Sequence, residues 1–410
     1  MKSKLTRQER SWILYDVANS AFTMLVSTTI PILFRSLAEA QGVDSASATG
    51  MWGLVTSSAV LILAVLSPIL GALADYENMK KRLFVAFLCL GVCGLLGLCV
   101  TQDWIAYMLL FVVARVGYSA CNVFYDSMLT DITTDERMDR ISSNGYAWGY
   151  IGSCIPFVVG ILLIFTLPFG LDTMGATQLS FFITGIWWIL LTIPLLKNVK
   201  QTYYLQNRQD KISHAFRRIG DTLKKIKQNK KLLYFIIAYF CYIDGVYTII
   251  SMATTYGGEV GIGQTDMILA LLLTQFVAFP CAILSGVLAG KIGSLKLIKF
   301  FIIIYAFACV LGFQMSHAWE FWLLAIVVGM AQGGIQSLSR AYFGKLVPKD
   351  ESNEYFGFFD IFGKFADFFG PLIVSFCAFA FGSSRIGVLA LIILFIIGFV
   401  LLSKIPADEQ

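Results

Sequence analysis

The chain has 410 residues, of which 57% are hydrophobic and 14% are charged, with a formal net charge of +5 and a mean hydropathy of +0.74. About a quarter of the residues of an ordinary soluble domain are charged, and an apolar excess of this size cannot be buried in one soluble core. The composition therefore excludes a water-soluble globular protein and predicts an integral membrane protein.

Apolar stretches long enough to cross a bilayer recur along the whole chain. Such a helix needs about 20 mainly apolar residues, and the sequence divides into twelve stretches of this kind. The expected fold class is an all-α integral membrane protein with twelve transmembrane helices. The predicted helices lie near residues 12–37, 51–74, 83–101, 105–130, 144–166, 178–196, 232–256, 266–290, 295–315, 318–344, 355–380 and 385–403.

One long hydrophilic segment, residues 197–231, separates the sixth predicted helix from the seventh and is rich in Lys and Arg. It predicts a six-helix bundle over residues 1–196, a cytoplasmic basic linker over 197–231 and a second six-helix bundle over 232–410. The halves also share loop sequences: 71–75 matches 286–290, and the acidic pair 135–136 matches 350–351, both 215 residues later. Two loops that agree on one offset indicate an internal duplication.

The positions of the basic residues predict the orientation of the chain. When the chain crosses the membrane twelve times, every second loop lies on the same side as the two termini. Most of the 31 Lys and Arg lie in the termini and in this set of loops, whereas the loops on the other side carry mainly Asp and Glu. Because basic residues near helix ends are retained in the cytoplasm, both termini are expected to be cytoplasmic. Trp12 and Tyr15 would then be interfacial anchors on that side. The net charge is thus a topology signal and does not indicate nucleic-acid binding.

The sequence lacks the residues that are characteristic of several function classes. All nine Cys lie within predicted helices, and neither His214 nor His317 belongs to a cluster with metal-ligand spacing. We find no nucleotide-binding glycine loop and no arrangement of nucleophile and base. The sequence therefore predicts a protein that is not an enzyme and has no metal or other cofactor.

Helices 1, 4, 7 and 10 each carry polar residues at helical spacing on one face. A charge at the centre of the membrane costs about 2.5–3.5 kcal/mol, so these faces should line protein or a wet cavity. Helices 3, 6, 9 and 12 lack such stripes and are predicted to face lipid. The four stripes are Asp16, Asn19, Ser20, Thr23 and Ser27; Arg115, Ser119, Asn122 and Asp126; Asp244, Tyr247, Thr248, Ser251 and Thr255; and Gln332, Gln336, Ser339 and Arg340.

Depth along the helices suggests roles for these residues. Arg115 and Asp244 fall near the middle of their helices. An Arg there offers a fork of donors suited to a carboxylate or phosphate, while Asp244 could pair with Arg115, hold a substrate ammonium or take up a proton. A permanent Arg115–Asp244 bridge that only ties the halves together is the structural alternative. We predict a midplane site bounded by Arg115, Asn122, Asp244, Tyr247 and Gln336, with Asp244 first and Asp16 second as carriers of a coupling ion.

The loop after helix 2 contains Gly71-x-Leu-Ala-Asp75 followed by Lys80-Lys81-Arg82. It resembles the loop 2–3 motif of the major facilitator superfamily, with Asn78 at a position where Gly is usual. Asn also tolerates a left-handed turn. Asp75 could cap a helix or pair with a base, and the basic run could anchor the cytoplasmic side. The predicted gating residues are Asp75, Lys80, Lys81, Arg82, Asp126 and Arg340.

Three longer strings lie on helices 1, 5 and 10: Glu9-Arg-Ser-Trp-Ile-Leu-Tyr15-Asp16-Val-Ala-Asn19-Ser20-Ala-Phe22, Arg140-Ile-Ser-Ser-Asn-Gly145-Tyr-Ala-Trp148-Gly149-Tyr-Ile-Gly152 and Gly333-Gly334-Ile-Gln336-Ser-Leu-Ser339-Arg340. Together they resemble the vacuole effluxer family, the autophagy-related amino-acid effluxers of the major facilitator superfamily, which also has bacterial members. The resemblance implies solute export or exchange, with amino acids as the substrate class of the eukaryotic members. At the positions of this sequence that match the family strings, the resemblance implies roles for Asp16, Asn19, Gln336 and Arg340. It adds Asn19 to the predicted substrate site.

The sequence thus predicts a monomeric secondary active transporter in a bacterial plasma membrane, in contact with membrane lipid. Its cargo would be a small polar solute, an amino acid or related carboxylate, moved by alternating access with a proton or another coupling ion. Uncoupled facilitation remains an alternative, as does a cargo that is an organic anion, a sugar or an amphipathic lipid. A channel or a solute sensor on a transporter scaffold is the alternative from another class. The substrate, direction, coupling ion and resting conformation do not follow from the sequence.

Overall fold

The computed structural model describes residues 4–206 and 211–405. Within those residues, twelve helices are long and apolar enough to cross a membrane, which confirms the predicted fold class. We number them helix 1 to helix 12 in chain order. Their bounds are Arg7–Ala40, Gly50–Ala74, Met79–Leu98, Trp104–Ile132, Asp135–Thr166, Thr173–Asn198, Lys230–Glu259, Thr265–Ile292, Ser294–Gln314, Ala318–Leu346, Lys349–Phe381 and Ser384–Ser403. A further helix, Lys211–Gln228, lies in the linker.

Short polar side chains fix where several helices begin. Asp103 accepts a hydrogen bond from the backbone N–H of Ala106 at 2.7 Å, and Asp172 accepts one from Gly175 at 2.8 Å. Helix 1 starts with a capping box formed by Thr6 and Glu9. Because the first amides of a helix have no partner inside it, such carboxylates satisfy them and favour the positive end of the helix dipole. Acidic residues in the short loops thus act as helix caps.

The contacts divide the chain into two compact units that exchange short segments. Unit 1 consists of Met1–Ile132, Trp148–Ala215 and Lys349–Gly357, and unit 2 of Thr133–Ala147, Phe216–Pro348 and Phe358–Gln410. The first turns of helix 5 therefore belong to unit 2, and those of helix 11 to unit 1. The sequence predicted that the two bundles are separated by the linker 197–231, without any exchange of turns between them. That division into domains stays a prediction.

Helix pairing follows the same plan inside each unit. In unit 1, helix 3 packs most extensively on helix 4, helix 1 on helix 6, and helix 2 on helix 4. In unit 2, helix 8 packs on helix 10, helix 9 on helix 10, and helix 7 on helix 12. Adding six to each helix number of unit 1 gives the three pairs of unit 2. The repeated pairing agrees with the internal duplication predicted from the loops.

Large apolar side chains are exposed on the helices predicted to face lipid. They include Phe182 on helix 6, Phe300 on helix 9 and Ile393 on helix 12. Exposed apolar residues also occur on helices that were not predicted to face lipid, such as Leu54 on helix 2 and Phe379 on helix 11. Such side chains are suited to a hydrocarbon solvent.

Candidate functional site

The polar stripe of helix 1 faces helix 4 in unit 1. Three hydrogen bonds between side chains of the two helices form a row, each about one turn from the next, in the order expected for antiparallel helices. Tyr125 donates to Asp16 Oδ2 at 2.9 Å, Asn19 Nδ2 donates to Asn122 Oδ1 at 2.6 Å, and the Thr23 and Tyr118 hydroxyls lie 2.7 Å apart. The structure therefore brings the predicted residues Asn19 and Asn122 together and places Asp16 in the same row.

Two partners in this row, Tyr118 and Tyr125, were missed by the sequence analysis. The predicted stripe on helix 4 consisted of Arg115, Ser119, Asn122 and Asp126. Of these four residues, only Asn122 takes part in the row. The tyrosines were counted with the apolar residues, although a buried Tyr hydroxyl usually finds a hydrogen-bond partner. Their spacing of three and four residues from Asn122 was the signal that could have identified them.

Arg115 and Asp126 are half-buried residues on helix 4. The Arg115 guanidinium lies 5.7 Å from the centre of the Tyr118 ring, a distance at which a cation is attracted by an aromatic face. Arg115 is thus next to the row of polar contacts between helices 1 and 4. This part of unit 1 presents a fixed positive charge beside amide and hydroxyl groups, which suits a ligand that carries a carboxylate.

Trp12 and Tyr15 are not interfacial anchors, and that expectation was wrong. Both side chains are completely buried. The Trp12 ring stacks on Tyr125 with 4.4 Å between ring centres, and its Nε1 donates to the Tyr125 carbonyl at 2.9 Å. Position near a helix end suggested the membrane interface, but these aromatic side chains pack between helices 1 and 4.

In unit 2, Asp244 is completely buried on helix 7. Its Oδ1 accepts a hydrogen bond from the backbone N–H of Gly370 on helix 11 at 2.9 Å. A Cβ at position 370 would clash with Thr248 Oγ1 and come within 3.0 Å of Asp244 Oδ1. The close approach of the two helices therefore requires glycine, a role that the sequence analysis missed. Pro371 follows Gly370 inside helix 11.

Helix 7 contacts helix 10 through a residue outside its predicted stripe. The Tyr242 hydroxyl lies 2.6 Å from Ser339 Oγ, and both side chains are buried. The predicted site residues Tyr247 on helix 7 and Gln336 on helix 10 are each half-buried. Arg115 belongs to unit 1, whereas Asp244, Tyr247 and Gln336 belong to unit 2. The shared midplane site and the Arg115–Asp244 bridge therefore both stay predictions.

Unit 2 also contains a small, partly open cavity between helices 7, 8 and 10. Apolar side chains form most of its wall, and the polar groups that line it are Thr274, Gln275 and Gln332. Gln332 lies one turn before Gln336 on the predicted polar face of helix 10. A mainly apolar cavity with a few polar groups is typical of a small-molecule site.

Asp75, at the end of helix 2, caps the start of helix 11 in unit 1. Its buried carboxylate accepts hydrogen bonds from Asn353 N and Asn353 Nδ2, each at 2.9 Å, and lies 3.4 Å from Glu354 N. A Cβ on Gly71 would overlap the Asn353 carbonyl, so that glycine permits the approach. We call this arrangement the Asp75 cap. It matches the capping role expected for Asp75, and Asn78 adopts the expected left-handed conformation with φ 61°.

The basic run after this turn has three different environments. Lys80 is buried and forms an ion pair with Asp131 at 2.5 Å. Lys81 is half-buried and donates to the Val199 carbonyl at 3.2 Å, whereas Arg82 is exposed. The basic run is therefore not uniform, because a carboxylate inside unit 1 compensates the charge of Lys80.

The start of the linker is attached to the same region through Asp131. Its Oδ1 accepts hydrogen bonds from the backbone N–H groups of Thr202 and Tyr203 at 2.8 and 3.0 Å. Leu205 N donates to the Asp75 carbonyl at 2.8 Å, and Glu77 N donates to the Leu205 carbonyl at 3.1 Å. Residues 202–205 thus tie the linker to the turn that contains Asp75.

Arg340, on helix 10, contacts the start of helix 5 in unit 2. Its buried guanidinium donates to Ser142 Oγ at 3.0 Å and to the Ser142 carbonyl at 3.1 Å, and it lies 4.3 Å from the Tyr146 ring centre. Close by, Asp139 accepts hydrogen bonds from Ser294 at 2.9 Å and pairs with Lys345 at 2.5 Å. We call these residues the Arg340 cluster. Gly290 replaces Asp75 in the second half, and side chains of helix 5 provide the charged contacts there.

We expect Asp75→Ala to raise the hydrogen-exchange rate of the amides at the start of helix 11 about tenfold. Loss of a carboxylate cap costs about 1–2 kcal/mol, and 1.4 kcal/mol corresponds to a factor of ten. Exchange of peptides covering residues 349–357 would be followed by mass spectrometry. Asp103→Ala is the matched control, because it removes a carboxylate cap from helix 4 and should leave this segment unchanged. Equal exchange in Asp75→Ala and wild type would contradict the capping role.

No group of three or more His, Cys, Asp or Glu side chains that could hold a metal ion occurs in the part of the chain that the structure describes.

Comparison with known proteins gives a consistent family match. Residues 47–138 and 130–410 match the family model described as "Vacuole effluxer Atg22 like". The chain is 44% identical over 418 residues to the protein named "Uncharacterized MFS-type transporter YxiO" from Bacillus subtilis (strain 168), with 100% of this chain and 97% of that protein covered. It is 23% identical over 431 residues to Autophagy-related protein 22 of Kluyveromyces lactis, with 90% and 87% covered.

Solved structures of transporters share the fold. The major facilitator superfamily transporter FucP has a TM-score of 0.73 at 15% sequence identity, and the comparison covers 98% of each chain. The human organic anion transporter MFSD10 has a TM-score of 0.72 at 14% identity, covering 97% of this chain and 99% of that one. At such identities the likeness concerns the fold alone.

Proposed function

The chain belongs to the vacuole effluxer Atg22-like family of the major facilitator superfamily, and from this premise we propose that it is a secondary active carrier of an amino acid or a related carboxylate. Family and fold are those of membrane transporters, so the chain is a multi-pass membrane transporter and not an enzyme. Transport by efflux or exchange through alternating access is part of the proposal.

The observation that carries the proposed cargo is the environment of Arg115. This half-buried guanidinium lies beside the row of hydrogen bonds between helices 1 and 4, next to Tyr118. A guanidinium that is partly removed from water binds a carboxylate through charge-assisted hydrogen bonds. The Asn19–Asn122 pair in the same row supplies amide groups that can bind the polar atoms of a small solute. In the proposal, Asp244, Tyr247 and Gln336 complete the site from helices 7 and 10.

We assign proton or ion coupling to Asp244 first and to Asp16 second. The support for Asp244 is its complete burial on helix 7 and its hydrogen bond to a backbone amide of helix 11. A carboxyl group closed off from water exchanges a proton only after a conformational change, which is the property that coupling requires. Asp16 is also buried, and it accepts a hydrogen bond from Tyr125.

Gating is assigned to the Asp75 cap and the Arg340 cluster, with Lys80, Lys81, Arg82 and Asp126 around them. Each of these contacts holds the first turns of a helix, helix 11 in one unit and helix 5 in the other. In an alternating-access cycle such contacts would form in one access state and break in the other. The proposal places them, both termini and the linker on the cytoplasmic side of a bacterial plasma membrane, in a protein that works as a monomer.

The experiment that tests the proposal is counterflow in proteoliposomes. Vesicles preloaded with a panel of unlabelled solutes would be given labelled amino acids, and wild type would be compared with Arg115→Ala. We expect exchange in wild type and a loss of about tenfold or more in the variant, because a hydrogen bond to a charged group contributes about 1.5–3 kcal/mol. Arg35→Ala is the matched control, since Arg35 is an exposed arginine paired with Glu39 near the end of helix 1.

Each contrary outcome removes a defined part of the proposal. Equal exchange in wild type and Arg115→Ala would exclude Arg115 from the site. Exchange of another panel solute without any amino acid would leave a carrier with a different cargo. A channel would be indicated if saturating solute on the opposite side did not stimulate the flux. A sensor would be indicated by binding of the solute without any flux.

A second cargo class is favoured by the cavity between helices 7, 8 and 10. Its wall is largely apolar, so a solute that carries an apolar portion would bury that portion there. An organic anion or an amphipathic lipid has such a portion. A sugar gains less from the apolar wall. The same counterflow panel distinguishes these cargoes from amino acids.

A further inference from the structure

The linker helix, Lys211–Gln228, has two large apolar side chains on its exposed face. Phe216 is 55% exposed and Leu223 is 48% exposed. The two residues are seven positions apart, which places them on the same side of an α-helix about 10 Å from each other. The adjoining side of the helix contains the buried residues Thr222 and Ile226. Phe216 and Leu223 therefore form an apolar stripe, beside the buried side, that the packing of the described chain leaves uncovered.

Basic residues flank this stripe on the same face. Arg217, Lys224 and Lys227 are all exposed. At 100° per residue, Lys227 falls beside Phe216, and Lys224 and Arg217 follow on one flank. Asp221 is the acidic neighbour, and its carboxylate lies 3.7 Å from Lys224 Nζ. An apolar stripe bordered by positive charge is complementary to a surface that presents negative charge above hydrocarbon.

The position of the helix in the chain places it near a membrane surface. It ends at Gln228, and helix 7 begins at Lys230. Asn229 caps helix 7 by accepting a hydrogen bond from Leu232 N at 3.1 Å. Only one residue thus separates the linker helix from a membrane-spanning helix, so its last turn cannot lie far from the headgroups.

We propose that the exposed face of the linker helix binds the anionic lipid headgroups of the adjacent leaflet. Phe216 and Leu223 enter the boundary between headgroups and acyl chains, while Arg217, Lys224 and Lys227 contact lipid phosphates. Juxtamembrane basic residues gain about 1 kcal/mol each at an anionic surface, which corresponds to about fivefold per residue. This inference does not depend on the cargo or on coupling.

Hydrogen exchange in lipid nanodiscs tests the proposal on the whole protein. Discs of phosphatidylcholine alone would be compared with discs that contain phosphatidylglycerol, and peptides covering residues 211–228 would be followed by mass spectrometry. We expect the amides of the linker helix to exchange at least about fivefold more slowly in the anionic discs. High salt should weaken this difference, because it screens the charges.

Two variants test the two components of the face. Lys224→Gln combined with Lys227→Gln should remove most of the dependence on phosphatidylglycerol, and Phe216→Asp combined with Leu223→Asp should abolish the protection. Lys291→Gln combined with Lys296→Gln is the control, since it removes two exposed charges from the adjoining ends of helices 8 and 9. Wild-type exchange that is equal in both discs would overturn the proposal. Protection that follows protein concentration instead of lipid would also overturn it, because the face would then bind a second copy.

Discussion

Replacing Asp244 by Asn is expected to abolish accumulation against a gradient while leaving counterflow measurable. The amide is nearly the same size as the carboxylate, and its oxygen can still accept the hydrogen bond from Gly370 N. The substitution therefore preserves the contact between helices 7 and 11 and removes only the group that can gain or lose a proton. Because a gradient of one pH unit corresponds to 1.36 kcal/mol, a one-proton carrier driven by it could accumulate its cargo about tenfold. The variant should bring this ratio to one.

Asp266→Asn provides the matched control for this prediction. Asp266 accepts a hydrogen bond from Trp322 Nε1 at 3.1 Å, and an asparagine oxygen could accept it as well. The control thus makes the same chemical change in unit 2 without altering the proposed coupling group, and it should accumulate cargo like wild type. Full accumulation by Asp244→Asn would eliminate Asp244 as the carrier and leave Asp16 to be tested. A wild-type protein that exchanges cargo but never accumulates it would indicate uncoupled facilitation.

The twelve helices could be predicted because their signal is additive along the chain. Each span contains enough apolar residues for the sum to exceed the noise of single positions. The helix ends were less accurate: helix 1 was predicted to begin near residue 12 and begins at Arg7. Its first turn contains Glu9 and Arg10, whose polarity argued against a membrane segment. Hydropathy reports where lipid begins, whereas the capping box of Thr6 and Glu9 decides where the helix begins.

Contacts between helices depended on information that periodicity does not contain. The stripe on helix 1 correctly marked the side that faces protein, and Asp16, Asn19 and Thr23 all have partners on helix 4. Periodicity defines a face only within the helix that carries it. The rotation of the facing helix 4, which selects Tyr118 and Tyr125 as partners, is set by packing. Gly370 was missed for a related reason. It contributes its backbone N–H to Asp244, and a pattern of side chains does not mark a backbone donor.

The gating residues illustrate a third limit. Asp75 was predicted to cap a helix or pair with a base, and the structure shows the cap on helix 11, far along the sequence. Lys80 was treated only as part of a basic run that could anchor the cytoplasmic side. Its burial depends on Asp131, which lies 51 positions later and had no motif to mark it. A run of like charges can therefore contain one residue whose partner is inside the protein.

The pair formed by Lys80 and Asp131 leads to the second large prediction, that Asp131→Asn will strongly destabilise the protein. Both side chains are almost completely buried. Removing one partner of a buried pair costs about 3–5 kcal/mol, because the remaining charge has no counter-ion. Asp131 also accepts hydrogen bonds from the backbone N–H groups of Thr202 and Tyr203, and an asparagine oxygen can still accept both, so the expected loss comes from the unpaired charge of Lys80. The midpoint of unfolding by SDS, followed by circular dichroism, would measure the effect.

The two partners are not equivalent, and this asymmetry makes the prediction sharper. Lys80→Met leaves Asp131 with its two backbone donors, so we expect a smaller loss of about 1.5–3 kcal/mol. The double variant should be more stable than Asp131→Asn alone, because no unpaired charge then remains buried. Glu39→Gln is the control: it breaks the exposed pair with Arg35, and such pairs contribute less than about 1 kcal/mol. If Asp131→Asn unfolded at the same midpoint as Glu39→Gln, water would have to reach Lys80, and the buried pair would not be what holds this end of helix 3 to helix 4.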